Sequence, residues 1–398
     1  MNEQQMGTKS VWAGEDEYLL QRSTQVPVVH SVSFGYDDID EWYEVATGKR
    51  EGHIYGRNTN PTVNIFEDKV RLLEGAEAAT SFSTGMAAIS NTLFTFLSPG
   101  DRVVSIRDTY GGTNKIFIEY LPQFQVDVEL CDTTNHEVIE REIEKGCSLL
   151  YLESPTNPTL KITDLERLTR KAHEVGALVV VDNTFATPIN QNPLKLGADL
   201  VVHSATKFLG GHADALGGVI CGSKALVEKV YHFREINGAT LDPMSAYLLL
   251  RGMKTLELRI RQQQQSALRI ARYLENHRKV ESVFYPGLES HEGYEIAVRQ
   301  MKGFGGMLSF SLTDGIEGVR KFLPKLRYAH LAANLGAVET IASIPRTASH
   351  VECTEEERKA MGIPEGLIRY SVGIENVEDL ISDLEQAFQV LETSTVGR

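Results

Sequence analysis

The chain has 398 residues, 42% of them apolar and 24% charged, with a formal net charge of −14. This is ordinary globular composition, and the length exceeds what one hydrophobic core usually serves, so two units are expected. The acidic balance argues against a nucleic-acid binder, which shows a basic face, and against docking on anionic lipid.

Cys131, Cys147, Cys221 and Cys353 show no CxxC spacing, and four cysteines in so long a chain make no disulfide framework. Met1–Asp16 contains no apolar signal-peptide core, and no apolar run is long enough to span a bilayer, so a cytoplasmic location is expected. Neither internal repeats nor low-complexity segments are evident.

In chain order, the first sixty residues are polar, aromatic and punctuated, and read as an arm, here bounded at 1–62. From Ala79 to Gly222 short β-branched runs alternate with helical spacing. Strands are predicted at Arg102–Ile106, Val126–Leu130, Ser148–Leu152, Ala177–Val181, Asp199–His203 and Gly218–Cys221. Helices are predicted at Gly85–Leu97, His136–Lys145 and Asp164–Val175. Strands apolar on both faces, alternating with helices, predict an α/β unit over 63–255 with a largely parallel sheet. Met244–His277 contains no proline and reads as one long or broken helix leaving that unit. A smaller α+β unit over 256–398 follows. In it Met307–Leu312 alternates like a half-buried strand, and Val377, Leu380, Ile381, Leu384, Ala387, Phe388 and Leu391 mark one face of a helix.

Three segments carry chemistry. Val201–Asp214 runs from a strand into Ser204, Thr206 and Lys207, then Gly210-Gly211. A lysine at the end of a buried strand is costly unless its amine is used, and desolvation makes it a Schiff-base nucleophile. The flanking hydroxyls are suited to a phosphate; the alternative is a surface lysine on a loop. Asp182 ends the apolar run Val179-Val-Val. Ligands bind at that end of α/β strands, and an acid there is suited to keep the pyridine nitrogen of pyridoxal 5′-phosphate (PLP) protonated. The alternative is a helix N-cap. Ser81–Met86 opens a helix with small residues, a seat for a phosphate, and Tyr110 follows a strand where it can stack on a flat ring or serve the core.

Together with Tyr55–Thr62, Glu153–Thr159 and Arg369–Glu375, these segments resemble the PLP-dependent enzymes of Cys/Met metabolism: cystathionine γ-synthase, cystathionine and methionine γ-lyases, and the O-acylhomoserine sulfhydrylases. The resemblance covers almost the whole chain. It implies a fold-type I, aspartate-aminotransferase-like enzyme with a three-layer large domain and a smaller α+β C-terminal domain. It also implies PLP on Lys207, a phosphate cup of Gly85, Met86, Ser204 and Thr206, Tyr110 on the ring, and Asp182 with Thr184 at the ring nitrogen. Tyr55 and Arg57 are expected to reach the phosphate in a neighbouring subunit, which requires at least a dimer; the resemblance itself implies a homotetramer. Asn157 and Arg369 are expected near the ring oxygen and the substrate carboxylate.

Departures from the family pattern concern the substrate. Asn334 stands where a serine is usual, Ile54 and Ala333 where cystathionine-handling members carry glutamates, and Gly112 where methionine γ-lyases carry a cysteine. The expected activity is γ-elimination on a γ-substituted homoserine or homocysteine derivative, with Lys207 and Tyr110 moving protons; γ-replacement is the alternative. A zinc hydrolase or dehydrogenase on the same scaffold lacks support, because neither HExxH nor a strand-borne GxGxxG occurs, and no metal site is expected. A non-catalytic PLP-binding protein would not need every one of these residues.

Overall fold

The computed structural model describes residues 4–15, 23–351 and 353–392. A seven-stranded sheet is built from β1 (Ala78–Phe82), β2 (Arg102–Ile106), β3 (Asp127–Cys131), β4 (Leu149–Glu153), β5 (Leu178–Asp182), β6 (Leu200–Ser204) and β7 (Gly218–Gly222). Its order is β1-β7-β6-β5-β4-β2-β3. β2 to β6 pair in parallel, whereas β7 runs antiparallel to both β1 and β6. The first strand is a departure from the expectation that Ser81–Met86 opens a helix. Thr80, Ser81 and Phe82 are instead buried against β7, and the turn begins only at Ser83.

Helices cover both faces, giving three layers. On one face α4 (Gly85–Phe96) and the helix Lys224–Asn237 bury Ile89, Leu93, Val227 and Val230 against Val180, Val202 and Ile220. On the other, the helices His136–Glu144 and Leu165–Glu174 bury Ile139, Ile143, Leu165 and Leu168 against Val104, Leu150 and Val179. The period-2 pattern of the strands thus meets an apolar stripe on each side, which is why they read as continuously hydrophobic. α3 (Pro61–Glu74) packs here too, started by Asn60, whose side chain accepts from the N–H groups of Thr62 and Val63.

The arm is anchored at one end by charge. α1 (Met6–Trp12) lies over α3, and buried Lys69 donates to Ser10 O and Val11 O at 3.1 Å and to Glu15 Oε1 at 2.7 Å. Glu15 also accepts from Lys254 at 2.6 Å. By contrast α2 (Ile39–Ala46), capped by Asp38, buries no residue.

The segment expected as one long or broken helix is two, Pro243–Met253 and Leu256–Glu275. Arg259 explains what secures the break: its guanidinium donates to the carbonyls of Gly252, Phe208 and Leu209 at 2.8–3.1 Å. The second helix starts in the core of the large sheet (Leu256, Ile260) and ends in the core of the next unit (Ala267, Ile270, Leu274).

That unit holds β8 (Val280–Phe284), β9 (Met307–Leu312), β10 (His330–Leu331), β11 (Ile341–Ser343) and β12 (Leu367–Ser371), in the order β10-β11-β12-β9-β8. β9 is not half-buried as its alternation predicted; all six residues are buried. Leu308, Phe310 and Leu312 face helices, including Val377–Glu392, while the polar face is covered as well, Ser309 Oγ donating to Pro158 O at 2.6 Å. Alternation reports polarity, and here the polar side chains satisfy their hydrogen bonds without water. Among the described residues, no helix is long and apolar enough to cross a membrane.

Candidate active site

The carboxyl ends of β4, β5 and β6 open into a cavity of about 250 Å³ closed on one side by the smaller unit. Its lining unites residues from across the sequence: Gly85, Met86, Tyr110, Asn157, Asp182, Thr184, Ser204, Thr206, Lys207, Ala333 and Arg369. Parallel packing sends the ends of neighbouring strands to one edge, which is why segments far apart in sequence meet here.

Lys207 sits in the turn after β6, its N–H bonded to Ser204 O at 3.2 Å and its carbonyl accepting from Gly211 N at 2.8 Å. Burial, reinforced by the nearby charge of Arg369, lowers its amine to about 8. Nζ donates to Asn334 Oδ1 at 2.8 Å. Asn334 is brought this close by Gly336, whose φ is +79° and where a Cβ would stand 2.7 Å from Phe208 N. Any side chain at 336 would push the two loops apart.

Arg369, on β12, is almost fully buried. It donates from Nη1 to Asn157 Oδ1 and from Nη2 to Asn334 O, both at 3.2 Å. Among the described residues, no carboxylate lies within ion-pair distance of its guanidinium. A buried, carboxylate-free arginine in a cavity is suited to a carboxylate brought by a ligand.

A cofactor with a phosphate and a basic ring nitrogen fits the remaining groups. The first N–H groups of α4, at Gly85 and Met86, have no helical partner, and both residues line the same cavity as Ser204 and Thr206. The helix end approaches β6 so closely that a Cβ on Gly85 would stand 2.7 Å from Ser204 Cβ. Asp182 lies across the cavity, accepting from Thr184 N at 2.9 Å and from Tyr151 OH at 3.4 Å. Burial raises its carboxyl against those donors, so it gains from a cationic partner.

Some sequence candidates lie elsewhere. Ile54, Tyr55 and Arg57 do not line this cavity. Tyr55 bridges Ser33 in the arm, and Arg57 stacks on the Tyr55 ring and donates from Nη1 to Glu235 O. The sequence reading gave no role to Glu153, Phe185, Leu216 or Ser349, which also line it. Glu153 was legible as a second strand-end acid; the others have no signal beyond being apolar or small.

The chain matches the family described as Cys/Met metabolism PLP-dependent enzyme over residues 7–389 and belongs to it. It is a fold-type I, PLP-dependent enzyme with a smaller C-terminal domain. An L-methionine γ-lyase of Fusobacterium nucleatum subsp. nucleatum is 43% identical over 392 residues, 98% of this chain and 99% of that protein. A cystathionine γ-lyase of Bacillus subtilis is 43% identical over 90% of this chain and 94% of its own. A crystal structure of cystathionine γ-synthase from Xanthomonas oryzae pv. oryzae, in complex with aminoacrylate and cysteine, superposes with a TM-score of 0.94 at 38% identity, covering 98% of this chain and all of that one.

Proposed function

We propose that the chain is a γ-lyase that expels the γ-substituent of a homoserine- or homocysteine-type L-amino acid as its protonated form and, with uptake of one water, releases a 2-oxo acid and ammonia. The observation that carries this reading is the pairing of a desolvated amine, Lys207, with a carboxylate-free guanidinium, Arg369, across one cavity. PLP bound there supplies an electron sink for negative charge developing on the substrate.

The chain's own residues divide the work. Gly85, Met86, Ser204 and Thr206 hold the phosphate, Tyr110 covers the ring, and Asp182, oriented by Thr184, holds the ring-nitrogen proton. Arg369 forks onto the substrate carboxylate with Asn157 beside it, which fixes the Cα–H toward Lys207. Lys207, neutral above about 8, removes that proton and returns protons to the carbon chain. Tyr110 or Lys207 delivers a proton to the departing group. Tyr55 and Arg57 belong to the neighbouring subunit's phosphate site, so the working unit is at least a dimer; the family likeness favours a homotetramer, and the cytoplasm is its proposed location. The arm is assigned to 1–62, the PLP domain to 63–255 and the C-terminal domain to 256–398.

A second reading, γ-replacement by an incoming thiol, is favoured by the likeness to a cystathionine γ-synthase. Incubation with methionine, cystathionine, O-acylhomoserines and canavanine, with and without added thiol, separates the two. γ-Elimination yields 2-oxo acid without thiol; release of 2-oxo acid from none of them sinks the lyase reading. Borohydride reduction followed by peptide mapping should place the pyridoxyl group on Lys207, and an adduct on Lys224 rejects the site.

A further inference from the structure

Two acids, not one, face the ring site. β4 and β5 pair in parallel with Glu153 and Asp182 as register partners. Both side chains therefore leave the same face at the same edge, and both line the cavity. Each is almost fully buried, and among the described residues neither has a lysine or arginine within ion-pair distance. Glu153 is not idle: its Oε2 accepts from the backbone N–H of Tyr110 at 2.9 Å.

We propose that Glu153 and Asp182 act as one unit carrying a single negative charge, with Glu153 kept as the neutral acid, and that Glu153 is a positioning residue for Tyr110 and for the cofactor ring. The inference rests on Asp182 facing the ring nitrogen. Charge accounting supports it, since one protonated ring nitrogen balances one carboxylate and a second would be left buried and unpaired.

The surroundings say which acid keeps the proton. Asp182 receives Thr184 N and the hydroxyl of Tyr151 and feels His203 from beyond β5. Glu153 feels burial first, then the charge of Asp182, with a smaller push from Asp108, and is held well above the usual carboxylate range against the backbone donors of Tyr110 and Asn157. Asp108 is itself neutralised by Lys161 at 3.0 Å. The cations that line the cavity, Lys207 and Arg369, hydrogen-bond to Asn334 and Asn157 and to neither acid. A neutral glutamic acid still accepts from Tyr110 N through its carbonyl oxygen.

The test uses holoenzyme of the wild type, Glu153→Gln, Glu153→Ala and Asp182→Asn. The infrared difference spectrum of wild type minus Glu153→Gln at neutral pH should show the carbonyl stretch of a protonated carboxyl, shifting in D2O. In the Asp182→Asn variant the band should titrate away at lower pH than in the wild type, because the charge that holds the Glu153 proton is gone. Glu153→Ala should lower kcat by about tenfold or more with KM changed less, as expected for a lost positioning contact; Glu153→Gln, which keeps the acceptor without the charge, should restore most of that loss. No protonated-carboxyl band, or a Glu153→Gln enzyme as impaired as Glu153→Ala while still holding PLP, overturns the proposal. Should Glu153→Ala not fold, the infrared comparison decides. The reading of Asp182 fails separately: that failure is an Asp182→Asn holoenzyme whose cofactor absorbance responds to pH as the wild type does.

Discussion

Asn334 Oδ1 accepts a 2.8 Å hydrogen bond from Lys207 Nζ, and the backbone carbonyl of the same residue accepts from Arg369. One residue therefore ties the amine to the guanidinium. An acceptor favours the ammonium over the amine, so Asn334 opposes the burial that lowers Lys207 to about 8.

That relationship gives the first prediction. Only the neutral amine captures PLP, so covalent loading of apoenzyme should rise about tenfold per pH unit below about 8 and level off above it. In Asn334→Ala the midpoint should move to lower pH, and kcat should fall because the amine is no longer aimed. The linked stability has a definite sign. Between about 8 and the ordinary lysine value of 10.5, the unfolded chain holds a proton that the folded apoenzyme lacks, so apoenzyme stability gains with rising pH across that window. Stopped-flow absorbance at 0.5-unit steps (roughly half a decade each by the same relation) measures the midpoint; a loading rate flat from pH 6 to 9 (about two units below and one above the turning point) contradicts it.

Subunit sharing gives the second. Arg57→Ala and Lys207→Ala should each be inactive, yet mixed and exchanged subunits should regain activity, because each mixed dimer assembles one site with both residues. For random dimers about half are mixed, each with one working site of two, so recovery approaches roughly a quarter of wild type. Mixed oligomers verified by mass that stay dead place Arg57 in its own subunit's site.

Substrate choice gives the third. Cystathionine's leaving group bears an ammonium and a carboxylate, and burying that ammonium unpaired is costly. Ala333 lines the cavity and offers it no charge. The enzyme should therefore favour substrates whose leaving group lacks a second amino-acid head. Ala333→Glu should shift kcat/KM toward cystathionine by about tenfold or more, from a contact worth roughly 1.5–3 kcal/mol. Steady-state kinetics checks both statements, and an unmodified enzyme that prefers cystathionine refutes the first.

Stability gives the fourth. Glu15 is the only carboxylate among the described residues in ion-pair contact with fully buried Lys69, and it also holds Lys254. Glu15→Ala strands Lys69 in the interior, at a cost of about 3–5 kcal/mol. Replacing both residues, Glu15→Leu with Lys69→Met, should recover much of it. Urea midpoints, at fixed protein and PLP concentration, measure the difference; a single variant within about 0.5 kcal/mol of wild type, the scatter of ordinary surface changes, rejects the pair as a structural tie.

The sequence made the large sheet legible because both-face burial leaves unbroken apolar runs, and it made Lys207 and Asp182 legible because charge at the end of such a run is conspicuous. β1 escaped because Thr80 and Ser81 are polar, though buried against β7. β9 misled because its serines bond to protein instead of water. Leu216 and Phe185 became visible only once folding placed them at the cavity, since nothing in an isolated apolar residue says which space it borders. The bond between Asn334 and Lys207 depends on a close approach at Gly336, which tertiary packing alone determines.

The three carbonyls gathered by Arg259 have a mechanical meaning. Two belong to Phe208 and Leu209, directly after the lysine, and the third to Gly252 at the helix break. The turn bearing Lys207 is thereby riveted to a helix whose far end is embedded in the other unit. Such a beam couples the halves of the subunit: loosening the C-terminal core should disturb the aim of the amine and the large sheet together. Heat or denaturant should therefore silence turnover and melt both units in a single cooperative step, and Arg259→Lys, which cannot fork onto three carbonyls, should split that step in two.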